Sequence, residues 1–395
     1  MKSAIALARD IRRLTEAHGD NAVVEGLASD LSAKKIKPED FSIRALFEEL
    51  VEDGRELVRM MGPQKSGGFS IMEAGDAVST GHFANITGQI VYSKVLDRYM
   101  AEDFVFTKNI QTIPTEFNGE KIPGVADIGD QAQIVEEGQP YPLAGVTEDW
   151  IETPSTKKRG MIVPVTREAI FFDRTGLVLQ RAGAVGESLG LNKEKRAIDC
   201  VIDENTTAHR YKWRGTVYAT YQTSTPWDNV TASAALVDWT DIGEAELTLA
   251  GLLDPNTGEP IIIMATTLIV PPSLRATAWR ALNTNNILQA SGGFATSTVQ
   301  HAESPSPIGK HEFSAGTYKV ITSRLMDSRT ATDTGWYLGD MSAFGYMQNW
   351  PLTVTQAPNN SEPEFTQDIV VRYKADERGA FAVLEPRKFT KCTVA

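Results

Sequence analysis

One stretch of the chain has the outward form of a nucleophile motif, Gly186-Glu187-Ser188-Leu189-Gly190. In a working G-x-S-x-G elbow the serine sits on a sharp turn between a strand and a helix, which exposes its hydroxyl at the edge of a sheet. Here the residues on both sides have helical spacing, so Ser188 is expected inside a helix and not as a nucleophile. No phosphate loop of the form G-x-x-x-x-G-K-S/T occurs; Lys65-Ser66-Gly67-Gly68 lacks the leading glycine and a preceding strand. His18, His82, His209, His301 and His311 stand singly, none in H-x-x-x-H or H-E-x-x-H, and no zinc site is expected. Cys200 and Cys392 make neither a disulfide framework nor a metal knuckle and read as free thiols. The neighbouring acids Glu136-Glu137 and Asp376-Glu377-Arg378 read as solvated or ion-paired. Lys157-Lys158-Arg159 is the densest basic run, either a solvated β-turn face or an ion-pair contact to an acidic neighbouring subunit. No catalytic, cofactor-binding or metal-binding residue is assigned, and no cofactor is expected.

Composition narrows the class further. The net charge of -12 comes without a basic stripe, which argues against a protein that grips nucleic acid by neutralising phosphates. No apolar run approaches the ~18 residues of a membrane span, and charges break up the first twenty residues every few positions, unlike a signal peptide. The triplets Asn85-Ile86-Thr87 and Asn229-Val230-Thr231 therefore read as chance glycosylation matches in a protein made in a cytoplasm.

The elements that would position these residues follow from periodicity. Ile5, Ala8, Ile11 and Leu14 mark one helical stripe, Val23, Leu27 and Leu31 a second, and Ile43–Leu50 a third helix after Pro38 and Ser42. This leader reads as solvated helices packed on the main body, or as a segment that organises neighbouring copies during assembly. Residues 62–81 read as a Gly/Ser-rich linker or arm. Phe83–Tyr99 has helical spacing, and residues 104–107 and 109–113 look like short strands. Between residues 131 and 172 a long β-hairpin is expected, going out through Ala132–Glu137 and returning from Trp150 to Thr166. Its polar, proline-bearing tip would need a neighbouring subunit to cover it. A long helix then runs from Leu177 to Asp203, and the close spacing of Gly183, Gly186 and Gly190 suggests that another backbone passes nearby.

From residue 205 to 363 the pattern is mixed: a helix over Asp241–Leu253, buried strands at Pro260–Met264 and Thr267–Val270, a helix opened by Pro271, and strands near Tyr318 and Gly335. Residues 368–374 and 379–384 close the chain as a strand pair or one bent strand.

Four pieces in this order resemble the Hong Kong 97-type major capsid proteins of tailed bacteriophages. Gly160–Asp173 looks like the family's passage from the E-loop hairpin to the spine helix, and Gly176–Glu204, with Lys193-Glu194-Lys195-Arg196, is similar to the spine. Ile263–Leu274 resembles the A-domain strand and its V-P-P-x-L helix start, and Asp368–Arg387 resembles the last P-domain strands. The likeness covers roughly residues 80–395. It implies an α+β fold in which 1–80 is a helical leader and arm, 81–130 the start of the P-domain and 131–172 the E-loop. Residues 173–204 would then be the spine helix, 205–363 mostly the A-domain, and 364–395 the return strands.

The resemblance further implies a virion shell subunit, not an enzyme. Copies would assemble as hexamers and pentamers in the host cytoplasm around DNA that they do not bind specifically, with portal, scaffold or decoration proteins as candidate partners. In some relatives an E-loop lysine crosslinks to a neighbour's asparagine. Lys157 or Lys158 would supply the amine, but the asparagine position falls at Gln367 or Asp368, so no crosslink is expected. Many relatives lose a helical scaffolding segment to a protease, and residues 1–60 correspond to it; whether they are cleaved or kept is left open. Deleting residues 137–158 should leave a folded core and prevent shells. The alternatives are an encapsulin-like nanocompartment shell, a phage maturation hydrolase, and a portal or tail protein.

Overall fold

The computed structural model describes residues 4–51, 53–60, 77–123, 134–141, 149–203, 211–224, 226–232, 234–254, 257–283, 286–290, 301–305, 318–329, 335–357 and 369–393. In chain order the elements begin with helices α1 (Ala4–His18), α2 (Asp20–Ser32), α3 (Ile43–Leu50), α4 (Gly54–Met60), α5 (Ala77–Tyr99) and α6 (Phe106–Asn109). Strands β1 (Gln111–Pro114), β2 (Lys121–Pro123), β3 (Trp150–Glu152) and β4 (Lys157–Thr166) lead to α7 (Arg167–Phe171) and the 28-residue α8 (Thr175–Ile202). Short strands β5 (Tyr211–Trp213), β6 (Thr216–Tyr218), β7 (Thr223–Ser224), β8 (Trp227–Asp228) and β9 (Val230–Thr231) precede α9 (Trp239–Ala250). Then come β10 (Thr267–Ile269), α10 (Arg275–Asn283), β11 (Asn286–Ala290), β12 (His301–Pro305), β13 (Lys319–Ile321) and β14 (Trp336–Gly339). The chain ends in β15 (Phe344–Gln356), β16 (Ile369–Val383) and β17 (Phe389–Cys392). Helices and strands are both abundant and largely segregated, as the α+β expectation requires.

The chain divides into two compact units. The first draws on Met1–Glu102, Lys157–Asn192 and Trp350–Arg378. Its core joins the apolar stripes of α1–α5 to those of α7, of α8 up to residue 192, and of the strand residues between 350 and 378. Leu46 and Phe47 of α3 are fully buried, and the Phe47 ring meets Phe83 of α5 edge-on at 5.2 Å. Polar groups fix the start of α3 as well. Ser42 caps it by accepting from the Ala45 amide, and the same hydroxyl donates to the Asp173 carboxylate at 2.9 Å. Thr175, the first residue of α8, accepts from the Ile43 amide at 2.8 Å. The expected close backbone is present at Gly186: a Cβ there would lie 2.2 Å from the Val95 carbonyl oxygen. At Gly183 a Cβ would meet only the Arg98 side chain, at 3.5 Å. In this unit β4 lies beside β16, which lies beside β15.

The second unit comprises Asp103–Thr156, Lys193–Asn349 and Gly379–Ala395. Its main sheet has the order β13-β10-β14-β17-β9. Every residue of β10 and β14 is buried, which accounts for the continuous apolar runs Thr267–Ile269 and Trp336–Gly339. A second sheet runs β2-β3-β5-β6, and β1 pairs in parallel with the first residues of β15.

Four expectations change. Residues 104–107 do not form a strand, because the buried Glu194 carboxylate accepts from the amides of Phe106 and Thr107 and starts α6 there. The linker read over 62–81 ends earlier, since α5 begins at Ala77; residues 61–76 lie outside the described residues. The strand that pairs with the start of the returning piece is β2, with Ile122 opposite Ile151, while residues 132–133 of the expected outgoing strand lie outside the described residues. Residues 134–136 are not strand, and Gly138 (φ +83°) closes a turn in which the Gln139 amide donates to the Glu136 carbonyl at 3.0 Å. Finally, Pro260–Met264 is not a buried strand. Only Pro260 bridges to Leu253, and Ile262 and Met264 point outward.

Candidate functional site

Ser188 lies in mid-helix on the exposed face of α8, with no strand-to-helix turn to raise its hydroxyl, and the elbow reading fails on geometry. Both thiols are buried and free. Burial, with Asp203 and Asp199 nearby, pushes the Cys200 thiol far up, and burial pushes Cys392 up to about 12, so neither is a thiolate at neutral pH. Among the described residues no group of three or more His, Cys, Asp and Glu could hold a metal ion, and no helix is long and apolar enough to cross a membrane. His209, His311, Lys65, Ser66, Gln367 and Asp368 lie outside the described residues.

The charged motifs act as internal ties. In the first unit Lys157-Lys158-Arg159 opens β4 and meets Asp376-Glu377-Arg378 of β16. Lys158 pairs with the buried Asp376 at 3.0 Å, and Tyr99 donates to the buried Glu377. Arg378 and Lys158 lie over the Trp350 ring, at 5.4 and 5.8 Å from its centre. A Cβ at Gly160 would come within 2.7 Å of the Ala375 carbonyl, so the glycine lets the two strands close. Lys158 therefore finds its acidic partner within its own chain, while Lys157 remains exposed. Glu136 and Glu137 are exposed and solvated, as expected.

In the second unit the cluster Lys193–Arg196 is mostly turned inward. Lys193 is buried 4.1 Å over the Tyr346 ring, and Arg196 lies 5.7 Å over Phe381, which itself packs on Tyr346. Near the C-terminus Arg387 donates to both oxygens of Glu385, at 2.6 and 2.8 Å, and to Asp254 at 3.1 Å, all three side chains being buried. Burial works to lower the guanidinium pKa, but the two carboxylates outweigh it and hold it above its ordinary value. Asn229, which heads one of the chance N-x-T triplets, is fully buried. Its amide nitrogen donates to the carbonyls of Thr220, Pro386 and Phe389, and its oxygen accepts from the Gln222 amide. Sequence reading missed this hub, since an N-x-T triplet carries no sign of burial.

In the second unit the segment 134–141 carries Ile134 at 98% exposure and Tyr141 at 85%. Residues 261–266 alternate, with Ile262 (96%) and Met264 (79%) on the outer face, and no charged residue occurs between Glu259 and Arg275. Leu247 and Leu253 are exposed nearby in the chain. In the first unit Met161 and Ile162 of β4 are exposed. Scattered apolar side chains are ordinary on a surface, but a segment whose exposure alternates, with apolar side chains on the outer side, suits a face that a partner covers. The deletion 137–158 would not spare the core, because it removes β3, whose Ile151 is buried between β2 and β5.

A search of curated proteins gave no match. Among solved structures, one of Gordonia phage Cozz is 14% identical with a TM-score of 0.44, covering 84% of this chain and 97% of its own. The capsid of a native GTA particle is 12% identical with a TM-score of 0.44, covering 75% and 91%. A virus-like particle from Pyrococcus furiosus is 10% identical with a TM-score of 0.41, covering 77% and 98%. The family described as phage capsid protein matches residues 151–392, from Ile151 in β3 to the last residue of β17. That match takes in more than half of the chain, including the spine-like α8, the main sheet and the Glu385–Arg387 clamp: the chain belongs to the phage capsid protein family and is a structural, shell-forming protein.

Proposed function

We propose that copies of this chain assemble as hexamers and pentamers into a closed icosahedral shell around phage DNA, with no enzymatic step. In this reading residues 1–80 are the leader and arm, 81–130 the start of the P-domain, 131–172 the E-loop and 173–204 the spine. Residues 205–363 are mostly the A-domain and 364–395 the return. The observation that carries it is the outward apolar display of Ile134, Tyr141, Ile262 and Met264, side chains that a neighbouring copy would cover. The net charge of -12 suits a wall that contains DNA without holding it. Assembly would take place in the host cytoplasm, with portal, scaffold or decoration proteins as further partners.

Electron microscopy of the purified full-length protein, with light scattering on the same sample, tests this directly. Closed polyhedra or uniform hexamer and pentamer rings are expected. A strict monomer, even with scaffold or portal protein supplied, would overturn the proposal. Replacing Ile134 and Tyr141 by Ser should leave the melting midpoint nearly unchanged and abolish stable shells.

A further inference from the structure

We infer that residues 1–60 are a permanent part of the subunit wall, completing the first unit's core and remaining in the finished particle. The inference rests on the shell reading only in its last clause. Among the described residues, fourteen of the thirty-three buried apolar side chains in that core come from this leader, spread over α1, α2, the turn before α3, α3 and α4. They do not form a core of their own to which the body is merely attached. Phe41, Ile43, Leu46 and Phe47 share one cluster with Phe83, Ile86 and Ile90 of α5 and with Ile170 and Val178 of α7 and α8.

Polar ties reinforce the docking at the point where α3 begins. Ser42 donates to Asp173, the Ile43 amide to Thr175, and the Arg44 guanidinium to the Phe171 carbonyl at 3.2 Å; Lys94 of α5 pairs with Glu39. Asp173 holds a left-handed backbone (φ +47°) immediately before α8, and its carboxylate takes both the Ser42 hydroxyl and the Thr175 hydroxyl. The leader thus helps to set the conformation from which the long helix starts. A segment destined to leave would be expected to meet the body through hydrated, polar contacts. This one meets it through aromatic and aliphatic side chains at close to zero exposure, and its loss would bare Phe83, Ile86 and Ile90.

The test is a full-length chain with a specific protease site inserted within residues 61–76, cut after folding and run through gel filtration in native buffer. The 1–60 fragment should co-elute with the remainder and separate only in denaturant. A fragment that leaves behind a soluble, folded remainder overturns the inference. Independently, peptide mapping of the chain recovered from assembled particles should still find the peptides of residues 1–60. A chain without them would also overturn it, and this arm stands if the insertion variant fails to fold. Absence of particles counts against the shell reading, and the co-elution result then decides the inference alone.

Discussion

In the first unit Glu49 sits at the margin of the core and is held by Arg9 and Arg55, whose own head groups stand in solvent. In the second unit Arg387 is enclosed together with both of its carboxylates, Glu385 and Asp254. The difference separates two uses of charge. A buried group with solvated partners can lose one of them and let water take its place. An enclosed triad has no such reserve, because each remaining charge would stay in a medium that solvates it poorly.

The comparison is broken most severely at Arg387. Arg387→Ala leaves two carboxylates buried together, and a loss of about 3–5 kcal/mol is expected in urea unfolding. An unchanged midpoint would mean that the triad is not enclosed in solution. Next come the glycines at close approaches, one in each unit. A Cβ at Gly379 would lie 2.5 Å from the Tyr346 ring and 2.7 Å from the Met347 carbonyl, and one at Gly186 would lie 2.2 Å from the Val95 carbonyl. Each Gly→Ala change should cost about 1–3 kcal/mol by overpacking. Gly379→Ala should cost more, since strands joined by a ladder separate less easily than two helices slide.

Acid should sharpen the contrast by acting on the first unit. Burial alone would raise the Glu49 carboxyl, but hydrogen bonds and charge from Arg55 and Arg9 hold it below its ordinary 4.5. The hydrogen bond from Lys94 does the same for Glu39, against a smaller effect of burial. A depressed carboxyl contributes stability above pH 4.5 and loses it as pH falls through the lower folded-state value. Calorimetry at pH 6 and pH 3 should therefore show the first unit's transition falling by several degrees, and a shift confined to the second unit would contradict the assignment. The smallest effect is expected at Arg55→Ala, about 0–1 kcal/mol, because the exposed arginine is screened and Arg9 remains beside Glu49.

How much of this was readable beforehand depended on whether the signal was local. The helices α1, α3, α5 and α8 follow directly from 3.6-residue spacing, and α8 begins and ends within two residues of expectation. The 13-residue β15 was not recognised, since Gly345 and Pro351 break the strand-like run of Phe344–Gln356 and its pairing with β1 comes from more than 200 residues away. The apolar run Pro260–Met264 looked buried and lies half outward for a similar reason: composition does not say whether a neighbour covers it. Ion pairing was anticipated for Asp376-Glu377-Arg378, but its partners Lys158, Tyr99 and Trp350 could be supplied only by the folded chain.

The two protonated, enclosed thiols have a practical consequence for labelling. A maleimide offered to the folded wild-type chain at neutral pH has no thiolate to attack, since Cys200 and Cys392 are both buried with raised pKa values. A cysteine placed at Ile262 would then be the single addressable handle on each subunit. A dye attached there would report, copy by copy, whether that face is open or covered.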